Sequence, residues 1–381
     1  MKKILILMAL WGMFGSLTAK DEGDPVPKTQ AQTVDQQATR QTKALWMNLK
    51  QLGKSQILFG HEDDLAYGIN WRAERGRSDV KEVCGSYPAV FGWDVSKLGK
   101  HPHNIDSVNF RDMRKWMKQA YKMGAINTIS WHLDNPVSKG DSWDTTPAVR
   151  QILPGGSHHA AFLEKLDLFA DFVKKLKVGV FRRQAVPIIF RPFHEHSGSW
   201  FWWGEDFRTD EEYIQLWRFT VHYLRDEKGL HNLLYAYSPD IVSSKEEYLK
   251  CYPGDEYVDI LGMDNYQDFR SSGNPADFPA RTRMLVELAE EKGKPSALTE
   301  TGSEGIPNPE WWTGVLLEQL KKDPLASGIS YLLVWRNGWV PHHFGPYPDH
   351  HSAEDFRKFF DDPMIWFADH LPDLYRYPAT Y

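Results

Sequence analysis

Residues 57–64 read Ile-Leu-Phe-Gly-His-Glu-Asp-Asp, an apolar run that stops abruptly in four polar side chains. A buried strand that ends in a polar loop has this form, and the ending decides between two architectures. A doubly wound open sheet usually carries a glycine-rich phosphate turn after its first strand, whereas here the turn is His-Glu-Asp-Asp. Seven further runs repeat the plan, at Ala89–Asp94, Asn127–His132, Val186–Phe193, Leu233–Tyr237, Asp259–Met263, Ser296–Thr299 and Ile329–Trp335. Helical patterns with apolar residues three or four apart lie between them. Phe110, Met113, Met117 and Ala120 make one such face, stopped by Gly124, and Phe162, Leu166, Phe169, Val173 and Leu176 make another. Thr209 with Glu212 fits a capping box ahead of Ile214, Trp217, Val221 and Leu224. Met284 to Ala289 passes through Gly293 and Pro295 straight into the next run, a helix-stop-strand signal. Eight runs alternating with helices predict an α/β fold, a (β/α)8 TIM barrel serving as a single catalytic domain.

The length of 381 residues would allow two or three average domains, but no linker, repeat or low-complexity tract divides the chain after residue 34. Residues 1–19 read as a signal peptide: Lys2 and Lys3, an apolar stretch from Ile4 to Phe14, then small residues with cleavage near Ala19. Residues 20–34 are polar and proline-containing, a flexible tether, which leaves 35–381 as the catalytic domain. The leader is too short to span a bilayer and no other stretch approaches that length. No cysteine follows it as a lipid anchor would require, so export to the periplasm or the medium is expected. Lys plus Arg number 45 against 51 Asp plus Glu, a net charge of −6 that becomes −8 once Lys2 and Lys3 are removed. That balance offers nothing to a phosphate backbone and excludes nucleic acid as a partner. Cys84 and Cys251 are too few for a disulfide scaffold, and their pairing stays open. A monomer or weak homo-oligomer is expected. The composition departs from the ordinary in its 16 Trp, 16 Tyr and 20 Phe, which fit either an aromatic-rich core or an aromatic-lined cleft.

In such barrels the chemistry sits at the carboxyl ends of the strands. Run two ends in Trp93-Asp94 and run three in Trp131-His132-Leu133-Asp134-Asn135. Run four ends in Arg191-Pro192-Phe193-His194-Glu195-His196, run six in Asp264-Asn265-Tyr266-Gln267, run seven in Glu300 and run eight in Trp335-Arg336-Asn337. Together they describe a polar cleft walled by aromatics. Flat indole and phenol faces stack on the C–H faces of sugar rings, while carboxylates, imidazoles and guanidinium groups bind hydroxyls. Glu195 and Glu300 end runs four and seven, which face each other across the mouth of an eight-stranded barrel. Hydrolysis with retention uses two carboxyl groups about 5–5.5 Å apart, one as nucleophile and one as acid/base. The alternative is that each glutamate pairs with a rim arginine such as Arg191.

The segment Arg191 to Gly204, RPFHEHSGSWFWWG, resembles the acid/base motif of glycoside hydrolase family 26, which is dominated by endo-β-1,4-mannanases. Leu298 to Gly302, LTETG, resembles that family's nucleophile motif, and VDILGMDNYQ (Val258 to Gln267) and LVWRNG (Leu333 to Gly338) fit its other signatures. The likeness runs from about Ala44 to the C-terminus. It implies Glu195 as general acid/base and Glu300 as nucleophile, with a β-mannan or manno-oligosaccharide as substrate and no cofactor or metal. It further implies that Trp200 stacks on the sugar past the scissile bond and that Trp335 floors the site before it. Tyr266 would hydrogen-bond the nucleophile, and Asp264 and Arg336 would grip hydroxyls toward the non-reducing side. Arg191, His194, His132 and Trp143 complete the implied substrate-binding set. His194, where the wider clan has Asn, favours the narrower family. Some relatives in that family cleave mixed-linkage β-glucan or β-1,3-xylan instead of mannan.

Two other classes fit parts of the pattern. His194-Glu195-His196 is an H-x-H pair that a metal-dependent barrel hydrolase could use, with His61 and His132 nearby in such a barrel. A non-catalytic glycan-binding barrel would also want aromatic platforms, but it has no need of both glutamates. The metal reading is tested by chelation: hydrolysis that survives EDTA is expected, and a loss restored by added zinc would reverse the assignment.

Overall fold

The computed structural model describes residues 33–180 and 183–378. The expected signal peptide and most of the tether lie outside the described residues. Among those described, no helix is long and apolar enough to cross a membrane. Eight parallel strands form the sheet: β1 (Ile57–Glu62), β2 (Val90–Asp94), β3 (Ile126–Trp131), β4 (Ile188–Pro192), β5 (Leu233–Tyr237), β6 (Ile260–Asn265), β7 (Ser296–Thr301) and β8 (Tyr331–Val334). Each pairs with the next in sequence, and β8 pairs back on β1, from Leu58 opposite Tyr331 to His61 opposite Val334. That closure is the barrel, and it removes the open-sheet alternative. Every one of the eight expected runs became a barrel strand. A two-residue strand, Ile365–Trp366, adds alongside the start of β1.

All residues of these strands are buried, as a parallel sheet covered on both faces requires. Alternate side chains point to opposite faces. Leu58, Val90, Ile126, Ile189, Leu234, Ile260, Ala297 and Leu333 pack together inside the barrel. Helix α1 (Arg40–Leu52) closes its lower end with Leu45, Trp46 and Leu49, and the Trp46 indole donates to the Asp259 carbonyl at 2.9 Å. Phe59, Trp93, Ile129, Phe190, Tyr235, Leu261 and Leu298 point outward and pack beneath the helices.

Helix α2 (Phe110–Lys122) buries the expected face of Phe110, Met113, Met117 and Ala120, and Gly124 follows in a left-handed turn. Helix α3 (His159–Lys174) buries Phe162, Leu166, Phe169 and Val173. The capping box ahead of α4 (Asp210–His222) is formed: Thr209 Oγ1 accepts from the Glu212 amide at 3.2 Å and Glu212 Oε2 from the Thr209 amide at 2.9 Å. Of the expected face, Trp217, Val221 and Leu224 are buried and Ile214 is half-buried. Tyr213, Leu216 and Thr220 widen the buried face, and Tyr213 has its ring 4.3 Å from His196 and its hydroxyl donating to the Phe193 carbonyl at 2.9 Å. Cys84 and Cys251 are both free thiols.

β7 departs from regular pairing. Met263 faces Leu298 but Asp264 faces Glu300, and on the other side Leu298 faces Leu332 but Thr301 faces Val334. One extra residue therefore sits in β7 at Thr299–Glu300, a bulge that re-aims side chains at the strand's end.

Thr209→Ala removes the cap oxygen at an exposed position that does not line the cleft. It should lower unfolding free energy by about 1 kcal/mol, read by denaturant titration, with hydrolysis rates unchanged.

Candidate active site

Two irregular backbones build the site. After β4 the chain takes left-handed φ values at Phe193 (50°) and Glu195 (53°), conformations that non-glycine residues hold only when their surroundings enforce them. The enforcement is a set of buried donors on successive carbonyls. Tyr213 donates to Phe193 O at 2.9 Å, the Trp203 indole to His194 O at 2.8 Å and Arg208 to His196 O at 3.0 Å, while the Glu195 amide donates to Ser238 O at 2.8 Å. The aromatic run 200–203 thus divides its labour. Trp203 braces the turn, and Trp202 is equally buried, donating to Leu133 O at 2.8 Å. Both indole N–H groups are taken by backbone carbonyls, and neither ring lines the groove. Trp200 lies at the cleft and donates to Glu195 Oε2 at 2.7 Å. Gly198 leaves room for it, since a Cβ there would sit 2.2 Å from the indole ring.

The second irregularity is the β7 bulge. Thr299 and Glu300 are neighbours that regular pleating would send to opposite faces. With the extra residue both turn inward, Thr299 Oγ1 donating to Asp264 Oδ1 at 2.7 Å and Glu300 Oε1 accepting a very short bond from Arg191 Nη2. Arg191 also donates to Asp264 Oδ2 at 2.7 Å, and Ser238 Oγ to Asp264 Oδ1 at 2.8 Å. Burial acts to pull the guanidinium pKa down, yet Asp264 and Glu300 raise it, so Arg191 stays charged. Tyr266 Oη donates to Glu300 Oε2 at 3.0 Å, and burial with the nearby acids keeps that phenol protonated.

Glu195 stands opposite. One oxygen each of Glu195, Asp264 and Glu300 lies within 4.8 Å of the others. Burial first, then the negative charges of Asp264, Glu300 and Asp240, push the Glu195 carboxyl well above its usual range, against the pull of the Trp200 N–H. The two glutamates therefore differ in setting: one held by a cation and a phenol, the other desolvated among acids.

A cleft of about 780 Å³ lies over this pair. His132, Trp143, Glu195, Trp200, Tyr266, Glu300, Trp335 and Arg336 line it, all from the sequence-derived set. Arg191, His194 and Asp264 do not. Asp264, expected on hydroxyls, is fully buried and its oxygens are taken by Arg191, Ser238 and Thr299. Arg191 is likewise an anchor beneath the cleft, in contact with Glu300 as the rim-arginine alternative foresaw. His194 is buried with its ring 4.7 Å from that of His132, and burial together with the Arg191 charge keeps its pKa well below the usual imidazole range. The polar ending of β1 is also no part of the wall: His61, Glu62, Asp63 and Asp64 are all buried. His343 and His350 are buried, with their Nε2 atoms 3.3 Å apart.

Further residues of the cleft had no sequence signal. Phe201, Asp106 and Phe344 line it. Asp106 pairs with Arg336 at 3.1 Å, and Asp94 holds His132 Nδ1 at 2.8 Å. Burial opposes the charge on His132, but Asp94 raises its pKa. His196, the second member of the H-x-H pair, is buried between Tyr213 and Tyr237, away from the cleft. Among the described residues, the acidic, His and Cys groups near enough to share an ion are Glu195, Asp264 and Glu300, with neither histidine among them. Arg191 already supplies the positive charge at two of those three.

The family model for glycosyl hydrolase family 26 matches residues 34–332. The chain belongs to glycosyl hydrolase family 26. A mannan endo-1,4-beta-mannosidase of Bifidobacterium adolescentis is 36% identical over 351 residues, which cover 86% of this chain and 34% of that protein. The chain thus spans about a third of that relative's length, but it matches 90% of a Bacillus subtilis mannan endo-1,4-beta-mannosidase at 28% identity, over 89% of its own length. A family 26 β-mannanase structure from Bacteroides ovatus superposes with a TM-score of 0.85 at 44% identity, covering 90% of this chain and 99% of that one. An endo-β-1,4-mannanase structure from Cellulomonas fimi does so with a TM-score of 0.83 at 38% identity, covering 90% and 79%.

The Arg191 frame makes a stability prediction. Burial, with Glu300 beside it, pushes the Asp264 carboxyl up to about 8 even with Arg191 lowering it. Arg191→Met therefore leaves two buried carboxyl groups without their cation. Breaking a buried pair costs about 3–5 kcal/mol, to be read by chemical denaturation at mildly alkaline pH. The deficit should shrink as pH falls, because protonation neutralises the charges left without a partner. An equal deficit at all pH values would show that the charge pairing is not what the arginine contributes.

Proposed function

We propose that the protein is a mannan endo-1,4-β-mannosidase that hydrolyses β-1,4-mannosidic bonds with retention of configuration. The observation that carries the proposal is the juxtaposition of Glu195 and Glu300, with oxygens within 4.8 Å of each other and opposite electrostatic settings. Glu195, kept protonated by burial and neighbouring acids, gives its proton to the glycosidic oxygen as the C–O bond breaks. Glu300, ionised beside Arg191 and Tyr266, attacks the anomeric carbon and forms a glycosyl ester. Its negative charge is then gone, so the Glu195 pKa falls. Glu195 now takes a proton from water, the water oxygen attacks the same carbon, and Glu300 leaves as carboxylate. Sugar, carboxyl and water account for every atom, and no cofactor enters.

Trp335 floors the sugar before the scissile bond and Trp200 stacks on the one after it. Arg336, held by Asp106, and His132, held by Asp94, address hydroxyls on the non-reducing side, with Trp143 above His132 at 5.4 Å between ring centres. Asp264, Arg191 and His194 act one step back, by positioning Glu300 and His132. The substrate class rests on the family relatives named as mannanases. Export through a cleaved leader is part of the same reading and rests on residues 1–19.

Glu195→Gln should lower kcat on mannan by about 10²- to 10⁴-fold, the usual weight of a positioned proton donor. The wild-type kcat/KM should fall as pH rises through the raised pKa of Glu195, because only the protonated form donates. With an aryl β-mannobioside whose leaving group needs no proton, Glu195→Ala should lose that basic limb. It should also accumulate a sugar ester that peptide mapping places on Glu300. Unchanged turnover in either variant would refute the mechanism. On a polysaccharide panel, mannan should be cleaved ahead of β-glucan and β-1,3-xylan, with the β-anomer released first by NMR.

A further inference from the structure

The loop after β8 carries two histidine doublets, His342-His343 and His350-His351, that the chemistry proposed above does not use. They tie this loop to the one after β7. His342 Nδ1 lies 2.6 Å from Glu304 Oε1, His351 Nε2 donates to Ile306 O at 2.9 Å, and the Gly305 amide donates to His343 O at 2.8 Å. Between these ties the rings of His343 and His350 are buried against each other, Nε2 to Nε2. Tyr347 packs on both, at 5.1 and 4.8 Å between ring centres.

In a neutral imidazole one ring nitrogen donates and the other accepts, so a partner on one side decides what the other side can do. Both rings are neutral near pH 7. Burial pulls the His343 pKa down, against the Val340 carbonyl and Glu304, and His351 and His342 add to the pull. Burial, with His343 and His351, takes His350 down to about 4, against the Gly305 carbonyl. Asp355, on the helix Ala353–Phe360 that follows, is held by the Thr313 amide and hydroxyl. Val340 O can only accept, so His343 Nδ1 carries its hydrogen and His343 Nε2 has none. His350 Nε2 then supplies the hydrogen between the rings, which leaves His350 Nδ1 bare. That nitrogen accepts from Ser352 Oγ at 2.9 Å, and Ser352 Oγ accepts in turn from the Trp312 indole, which can only donate, at 3.2 Å. The hydrogen bonds therefore run one way, from Trp312 through Ser352, His350 and His343 to Val340.

This chain reaches the site through the next residue. The Phe344 ring lies edge to face on Tyr266 at 5.5 Å, and Tyr266 donates to Glu300 at 3.0 Å. We infer that His343 and His350 are positioning residues for the hydrolysis: their one-way chain holds Phe344 against Tyr266 and so sets the phenol that bonds the nucleophile. The role in hydrolysis rests on the glycosidase reading above, whereas the chain itself does not. The chain has no place for another proton, because a hydrogen on either bare nitrogen would face the donor already there. A released loop binds protons below about pH 6.5, the ordinary imidazole value, while the closed one resists them. The anchoring is complete above that pH and weakens as pH falls toward about 4.

The chain is read directly by NMR of the full protein labelled with 15N at histidine, with His350→Gln to assign the signals. At pH 7, His343 should carry its hydrogen on Nδ1 and His350 on Nε2, and neither ring should take up a proton near pH 6.5. Reversed tautomers, or a midpoint near 6.5 in either ring, overturn the chain. The positioning role is read from hydrolysis of an aryl β-mannobioside at pH 7. His350→Leu breaks the chain and should lower kcat about five- to tenfold, the weight of one hydrogen bond, with KM unchanged, because Tyr266 acts on Glu300. His350→Gln keeps a donor for His343 and an oxygen for Ser352, and should restore most of that rate. Where His350→Leu does not fold, Ser352→Ala removes one link and should give the same kcat-only loss. A wild-type kcat in the broken-chain variant, a change in KM alone, or no rescue by Gln overturns the positioning role. A wild-type protein with the expected tautomers but inert on mannosides would overturn the glycosidase reading instead.

Discussion

A single buried guanidinium organises the barrel mouth. Arg191 at the end of β4 bonds Asp264 at the end of β6 and Glu300 at the end of β7, so one cation links three strands. Two carboxylates inside a protein cannot both stay ionised without such a partner. Ser238 and Thr299 complete the shell by donating hydroxyls to Asp264. What remains of Glu300 is one oxygen, addressed by Tyr266 and open to the cleft. The frame orients Glu300 and places acids across from Glu195 that, with burial, raise the affinity of that group for its proton.

The opposite wall solves a different problem. An acid that must hold a proton needs a site poor in water and in cations, and Glu195 gets one by standing on a strained turn rather than on the strand itself. Two left-handed residues in three would relax if left alone. Four backbone groups of the turn are each held by a partner from outside it: Tyr213, Trp203, Arg208 and the Ser238 carbonyl. The aromatic surplus of the composition is largely scaffolding of this kind, with Trp202 and Trp203 bracing backbone and Trp200, Trp335 and Trp143 left to face the cleft.

Much of this was legible beforehand. The eight runs were readable because a strand covered on both sides is apolar along its whole length, and α2 and α3 because their faces repeat every three or four residues. Glu195 and Glu300 stood out because they end such runs. On α4 the expected Trp217, Val221 and Leu224 are buried, but Tyr213 joins them because Phe193 and His196, after β4, hold it inward, which no local period reveals. The polar ends of β1 and β6 were misassigned for a similar reason. His61, Glu62, Asp63, Asp64 and Asp264 look like cleft residues by composition, but they are enclosed by the loops that fold over them. Asp106 and Phe344 lie on loops without period or motif, so nothing marked them.

The sequence by itself determined the architecture and the family and singled out Glu195 and Glu300 by position, because apolar period, strand-end position and short motifs are local properties of the chain. Tertiary structure decided how those glutamates are used. A one-residue bulge in β7 turns Glu300 to the same face as Thr299, and pleating alone would have pointed it away. Arg191, an equal candidate for substrate or for structure by its position, became structure once β6 and β7 brought two carboxylates within its reach. Side-chain direction, charge pairing and hydrogen-bond satisfaction depend on neighbours distant in the chain, and only the closed barrel sets those neighbours in place.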